Sequence, residues 1–145
     1  MRLGSWARYS TGTRGQSVVE LALALPLLML IFLGLVDGAR AYFYAANVAN
    51  AAREAASFAG RNGSATVAQV TQRACDATGF ATFGQPCTGL TVTCTVASGD
   101  ASVEVTYNFT LISGLLADGA FHVSPLPIRG QGRYPLTTTG VPCGT

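Results

Sequence analysis

The sequence predicts an α+β protein in which a long N-terminal membrane-spanning helix carries a small exported head of one short helix and an antiparallel β-hairpin or sheet. Three observations lead to this fold class. An uncharged apolar run extends from Leu21 to Val36, residues 90–111 alternate between apolar and polar side chains, and four cysteines lie in the second half of the chain. The chain has 145 residues, of which 11% are charged, whereas a soluble domain usually has about 25%.

The N-terminal part of the chain predicts a short leader followed by a membrane span. Residues 1–15 contain three arginines and no acid, and we expect them to form a cytoplasmic leader. Residues 16–60 are predicted to form a transmembrane and assembly helix with its span at about residues 18–36, because roughly 20 helical residues cross a bilayer core. Positive charge before the span predicts that residues 61–145 are an exported, disulfide-stapled head.

An ordinary secretory signal peptide is the alternative interpretation of this segment. Ala39 and Ala41 flank Arg40, so a cut at an A-x-A site is conceivable. The apolar region of a signal peptide is, however, only about 7–15 residues long, and here helix-forming sequence continues past Val36 without a turn signal. The sequence therefore favours a helix that stays attached to the head.

Small residues recur along the predicted helix at spacings that suit close packing. Gly34 and Gly38 form a small-xxx-small pair, and Pro26 predicts a kink that neighbouring helices can tolerate. Farther along, small side chains follow Tyr42 in steps of three and four residues, and we expect this seam to pack on partner helices. The seam comprises residues 42, 45, 49, 52, 56 and 59.

The predicted helix has one charged pair beyond the apolar run and a clear stop signal. Asp37 and Arg40 stand three residues apart, and we expect them only to mark the membrane boundary. Alanine-rich sequence favours a helix up to about Phe58, and the glycines within residues 60–63 should break it.

The head is predicted to contain a short helix and a β-hairpin. Ser64 is expected to cap a helix over residues 65–77. Apolar and polar side chains alternate over residues 90–96 and 101–111, with a turn at residues 98–100 between them. This pattern predicts two antiparallel strands with one apolar face.

Disulfides are expected to stabilise this small sheet. Glycine and proline recur after Gly114, so at most one further edge strand is expected, near residues 132–138. Because so small a sheet is marginal alone and the head is predicted to be exported, the even cysteine count predicts two disulfides; free buried thiols are the alternative. Three pairings are possible, and the place of Cys94 on the apolar face favours Cys75–Cys94 with Cys87–Cys143. The candidate cysteines are Cys75, Cys87, Cys94 and Cys143.

No pattern of residues predicts catalysis, a cofactor or a metal site. His122 is the only histidine, and no carboxylate or cysteine stands at a spacing that would complete a triad or a metal site with it. No C-x-x-C pair is present to suggest zinc, and Asp100 and Glu104 are expected on a solvated face. The net charge of +2 is too small to argue for nucleic acid, and no phosphate-binding motif or other site for a small-molecule substrate is recognised.

The start of the apolar helix resembles the processing site of type IV prepilins. Residues 15–20 read G-Q-S-V-V-E and lead directly into the apolar run. The resemblance implies that a membrane peptidase cuts after Gly15 on the cytoplasmic side, which leaves Gln16 as the new N-terminus and Glu20 fifth in the mature chain. The next residue is Leu21, where this branch more usually has Phe or Tyr.

The continuation resembles the TadE-like proteins of tight-adherence (Flp) pilus systems. Residues 14–60 combine a G-Q-x-x-x-E start, an L-P-L-L core, a D-x-x-R exit and an A-A-R-E-A helix in this order. The resemblance implies a minor pilin or pseudopilin in the bacterial inner membrane or in a surface pilus. Its partners would be the prepilin peptidase, other pilin subunits, the pilus assembly machinery and membrane lipid. An unprocessed single-pass envelope protein, acting as an assembly partner or binding module, is the alternative.

The apolar membrane environment suggests a role for Glu20 in assembly. A carboxylate in a membrane helix is costly unless it is paired. Cleavage after Gly15 creates an ammonium on Gln16, and this group on a neighbouring subunit could neutralise Glu20 and fix the register between subunits. The alternative is that Glu20 reaches water at the cytoplasmic interface. The predicted assembly residues are Glu20, Pro26, Gly34 and Gly38.

Overall fold

The computed structural model describes residues 14–79, 87–114 and 125–144. In these residues a long helix is followed by a short helix, a single 3-10 turn and three antiparallel strands, which confirms the predicted α+β class. The elements are α1 (Arg14–Arg61), α2 (Val67–Thr78), the 3-10 turn (Cys87–Gly89), β1 (Leu90–Ala97), β2 (Asp100–Phe109) and β3 (Leu126–Pro135).

Helix α1 is continuous over 48 residues and includes two residues before and one residue after the predicted range of 16–60. At about 1.5 Å per residue it is about 72 Å long, so a bilayer core can contain less than half of it. Its last turn is capped by Asn62, whose side-chain amide donates to the carbonyl oxygen of Phe58 at 3.0 Å. The second half of α1 packs against α2 and the sheet, so it belongs to the head.

Helix α2 begins two residues later than predicted, because Thr66 and not Ser64 is its cap. The backbone N–H of Gln69 donates to the Thr66 hydroxyl at 3.3 Å, and the Gln69 side chain accepts from the Thr66 N–H at 3.1 Å. This reciprocal capping box satisfies two N–H groups that would otherwise lack partners. The apolar face of α2 buries Val70 and Ala74.

The sheet has β2 at its centre, with β1 and β3 on either side. The β1–β2 hairpin turns through Ser98 and Gly99, whose φ angles of +57° and +83° suit a two-residue turn that follows the natural twist of the strands. Strand β3 pairs with the whole of β2, from Asp100↔Pro135 to Phe109↔Leu126. The predicted edge strand near residues 132–138 is therefore longer and begins earlier, and β2 ends at Phe109 rather than at residue 111.

Strand β3 lies against α1 so closely that backbone meets backbone. A Cβ atom on Gly130 would stand 2.6 Å from the carbonyl oxygen of Val48. One on Gly132 would collide with the carbonyl oxygen of Ala52 and stand 2.8 Å from the Cα of Arg53. Glycine is needed at these two strand positions because the helix leaves no room for a side chain.

Small side chains in the second half of α1, from Ala51 to Ala59, pack inside the head. Ala52, Ala56 and Ala59 of the predicted seam are fully buried inside the head, so the expectation that they meet other subunits is wrong. Tyr42, at the start of the seam, is 78% exposed. The buried face of α1 comprises Val48, Ala51, Ala52, Ala55, Ala56 and Ala59.

Two disulfides close the head, but their pairing differs from the one favoured by the sequence. The bonds are Cys75–Cys87 and Cys94–Cys143, with Cα–Cα distances of 5.8 and 5.7 Å, within the usual range. Cys94 does lie on the inner face of β1, as predicted. It meets Cys143 because the C-terminal segment returns beside α2, where the N–H of Cys143 donates to the carbonyl oxygen of Ala65 at 2.8 Å.

Candidate processing and assembly site

The predicted processing residues lie in the first two turns of α1 and are exposed to solvent. The helix begins at Arg14, and a Cβ atom on Gly15 would meet no atom within 4 Å. Gln16, Glu20 and Leu21 are likewise exposed. The described chain therefore leaves the surface around Gly15 open.

The helix that follows has apolar side chains exposed on all sides. This segment qualifies as a candidate membrane span by its length and composition, and none of its most apolar window is buried by the rest of the chain. A helix surface that is apolar all round suits lipid or other apolar helices and not water. The exposed large side chains are Val18, Val19, Leu21, Leu23, Leu25, Leu27, Leu28, Met29, Leu30, Ile31, Phe32 and Leu35.

The predicted assembly residues lie along this exposed half and are spread out. Pro26 lies inside the helix. Gly34 and Gly38 are one turn apart, and a Cβ atom on either would meet no atom within 4 Å, so the head leaves their side of the helix open. Glu20 lies about 21 Å from Gly34 along the helix axis. The fold therefore does not bring these residues together within one chain.

Sequence reasoning missed the role of Asp37, which is only 2% exposed. Its carboxylate accepts hydrogen bonds from the backbone N–H groups of Ile112 at 3.0 Å and Ser113 at 2.8 Å. Arg40 donates to the same carboxylate at 3.0 Å. The expectation that Asp37 and Arg40 only mark the membrane boundary is wrong, because the pair attaches the end of β2 to the helix. We call this contact the Asp37 clasp.

Next to the clasp, aromatic side chains form further contacts between α1 and β2. The guanidinium of Arg40 lies 5.0 Å from the centre of the Phe109 ring. Tyr44, one turn farther along α1, stacks on Tyr107 with ring centres 5.1 Å apart and lies 5.3 Å from Phe109. The D-x-x-R sequence was the signal for this junction, but its partners are more than 70 residues away in the chain.

The clasp favours the ionised form of Asp37, which is the first residue beyond the predicted span. Burial acts to raise the pKa of this carboxyl. The hydrogen bonds from the side chain and backbone of Ser113, from the Ile112 N–H and from Arg40 outweigh that effect, and they lower the pKa from 3.8 to about 2.

Asp37→Asn is expected to destabilise the junction between helix and head by about 2 kcal/mol at neutral pH, because it removes charge-assisted hydrogen bonds. A lowered pKa stabilises the fold above the ordinary pKa, and this contribution is lost as the pH falls towards the folded-state pKa. The stability difference between the two proteins should therefore shrink as the pH falls from above 3.8 to about 2. Thermal unfolding in detergent micelles measures it, with Asp76→Asn as a control at an exposed carboxylate. An Asn variant as stable as the wild type at neutral pH would contradict the clasp.

The described residues contain no arrangement that indicates chemistry. No group of three histidine, cysteine or acidic side chains within them could hold a metal ion. Glu104 accepts from Gln131 at 3.2 Å and from Arg129 at 3.5 Å on the outer face of the sheet, which is the solvated position expected for it. His122 lies outside the described residues.

Comparison with protein families gives a match that lies within α1. Residues 15–57 match the family model described as TadE-like protein, and the match includes none of the sheet. No curated protein and no solved structure is significantly similar to the chain. The predicted family resemblance is thus confirmed over the helix that carries the processing and assembly residues. Over residues 15–57 the chain is similar to the TadE-like proteins, a structural and non-enzymatic family, and this similarity suggests involvement in a tight-adherence pilus system.

Proposed function

We propose that this protein is a minor pilin or pseudopilin of a tight-adherence (Flp-type) pilus, which is made as a precursor and cut by a prepilin peptidase after Gly15. The observation that carries the proposal is the combination of an exposed apolar helix with the G-Q-x-x-x-E sequence at its start. The match of residues 15–57 to the TadE-like family supports it. The pilus would serve in adhesion or secretion.

The precursor crosses the bacterial inner membrane once. The arginines of residues 1–15 hold the N-terminus in the cytoplasm, and the head lies outside. The two disulfides of the head suit an oxidising compartment of this kind. Lipid surrounds the apolar half of α1 until a subunit leaves the membrane.

The division of α1 into two halves suits this role. The second half is covered by the head of the same chain, which fixes the direction in which the helix leaves the head. Most of the first half is left uncovered by the described chain, with only Leu33 and Val36 half-buried at its end, so its apolar side chains are available to lipid and then to the helices of other pilin subunits. Gly34 and Gly38 offer such helices a place of close approach.

Glu20 sets the axial register between neighbouring subunits in the filament. Cleavage converts Gln16 into a free ammonium, and in a filament this ammonium pairs with the Glu20 carboxylate of a neighbouring subunit. In apolar surroundings an unpaired carboxylate is costly, so only the register that brings the two charges together is stable. The pair has no counterpart in a protein that keeps residues 1–15.

Glu20→Gln should permit insertion and cleavage but lower incorporation into filaments by about tenfold or more, because the loss of one partner of a buried ion pair costs about 3–5 kcal/mol. The measurement is the ratio of protein in sheared pili to protein in the membrane fraction of the native host. Glu54→Gln is the matched control, since it makes the same chemical change at a partly exposed surface ion pair in the second half of α1. Full incorporation of Glu20→Gln would contradict the pairing.

A further inference from the structure

The contacts along α1 show which end of the head is nearer the predicted span. The Asp37 clasp holds Ile112 and Ser113, just beyond the end of β2, at the first residue after the apolar run. At the other end of the sheet, the N–H of Thr137 donates to the carbonyl oxygen of Gly60 at 3.0 Å. These two attachments are about 35 Å apart along the helix. The end of the sheet formed by Phe109 and Leu126 is therefore the end nearer the membrane.

The head also reaches past the clasp onto the last turn of the apolar run. Leu33 and Val36 are half-buried, whereas Phe32 and Leu35 on the other sides of the same turn are exposed. Side chains on a helix tilt towards its N-terminus, so the Asp37 carboxylate and the N–H groups it binds lie on the membrane side of the Asp37 Cα. Ile112 is thus held at the depth where the span ends.

Two exposed large apolar side chains of the head lie at this end. Outside α1, the large apolar side chains that the structure shows as exposed are Ile112 at 42%, Leu126 at 40% and Val141 at 72%. Ile112 is fixed by Asp37, and Leu126 pairs with Phe109, whose ring contacts Arg40 about 6 Å beyond the apolar run. Val141 lies at the opposite end, next to Gly140, which contacts the Gly63 backbone.

We propose that Ile112 and Leu126 form a second membrane contact, with their side chains in the interfacial layer of the same bilayer that α1 crosses. This inference rests on the membrane anchorage in the proposed function. The occupant is lipid because Ile112 lies at the level where the exposed apolar belt of α1 ends and Leu126 lies within about 6 Å of it, so one continuous apolar surface would run from the helix onto the head. The contact would fix the tilt of the head against the membrane before the subunit is taken up.

Tryptophan scanning in vesicles tests the contact. Trp6, the only native tryptophan, is replaced by Phe. Single tryptophans are then introduced as Ile112→Trp, Leu126→Trp, Val141→Trp and Leu28→Trp, and each full-length protein is reconstituted at low density in phosphatidylcholine vesicles with brominated acyl chains. Ile112→Trp and Leu126→Trp should be quenched several-fold more than Val141→Trp and should emit at shorter wavelength. Leu28→Trp, within the span, should be quenched most.

The four positions separate failure of this contact from failure of the anchorage. If Leu28→Trp is quenched while Ile112→Trp and Leu126→Trp behave like Val141→Trp, the span stands and the second contact is overturned, as it would be if another subunit covers these residues. If Leu28→Trp is not quenched either, the anchorage itself is wrong and both proposals fall. A second measurement uses the wild-type protein, so its result does not depend on whether a tryptophan variant folds. A photoactivatable phosphatidylcholine should crosslink to peptides that contain Ile112 or Leu126 but not to one that contains Val141, and crosslinking only at residues 18–36 would overturn the contact.

Discussion

Gly132→Ala is expected to destabilise the head by about 3 kcal/mol, at the upper end of what one added methyl group costs in a packed interior. The added Cβ would collide with the carbonyl oxygen of Ala52 and stand 2.6 Å from the carbonyl carbon of the same residue. Both are backbone atoms of α1, so no side-chain rotation can relieve the contact. Either β3 must move away from the helix or the pairing of β3 with β2 must loosen.

Chemical unfolding of the full-length protein in detergent micelles, followed by the circular dichroism of the sheet, measures this loss. Gly38→Ala is the matched control because its Cβ would meet no atom within 4 Å in the same chain. Alanine also favours helix over glycine by about 1 kcal/mol, so the control should be as stable as the wild type or more so. Equal stability of the Gly132 and Gly38 variants would show that β3 does not lie on α1 as described.

Gly15→Leu should abolish maturation, so that the whole population keeps residues 1–15. A glycine before the cut lets the peptidase approach the backbone closely, and a branched side chain at this position would block that approach. Misfolding of the described chain is not expected, since Gly15 is exposed and a Cβ atom on it would meet nothing within 4 Å. The measurement is the ratio of precursor to mature protein on a gel after expression in the native host.

Gly34→Leu is the control for this experiment, because it adds the same side chain to an exposed glycine of α1 but lies far from the cut. It should be processed at the wild-type rate. Normal processing of Gly15→Leu would place the cut elsewhere or rule it out, and the prepilin assignment would lose its support.

The parts of the fold that were predictable are those whose signal is local. The apolar run from Leu21 to Val36 and the alanine-rich sequence after it determine α1, because propensity and hydropathy act within a few turns. The alternation around Val103 determines the β1–β2 hairpin, because its two strands are joined by a turn of two residues.

The errors concern contacts between distant segments. The sequence predicts a shorter β3 because glycine and proline recur after Gly114, yet two of these glycines, Gly130 and Gly132, are what allows the strand to lie on α1. Asp37 was dismissed because its partners, Ile112 and Ser113, follow 75 and 76 residues later. The cysteine pairing depends on where the C-terminal segment returns, which no local pattern encodes.

The candidate site likewise has one part that could be predicted from local sequence and one part that could not. The order of Gly15, Gln16 and Glu20 at the start of an apolar helix could be recognised from the sequence alone. The separation of α1 into an exposed half and a half buried by its own head could not, because alanine at a three-and-four spacing suits a partner helix and a sheet equally well. Only the fold shows that Ala52 and Ala56 pack in the core of their own chain.

The measurement that tests the central claim most directly is the intact mass and N-terminal sequence of the protein extracted from the membrane of its native host. The account predicts a chain that begins at Gln16, with or without methylation of its new N-terminus. A chain that still carries residues 1–15 would contradict it and would indicate a permanently anchored envelope protein that acts as an assembly partner or binding module. A chain that begins near Ala41 would contradict it differently, because it would show that the apolar helix is an ordinary signal peptide.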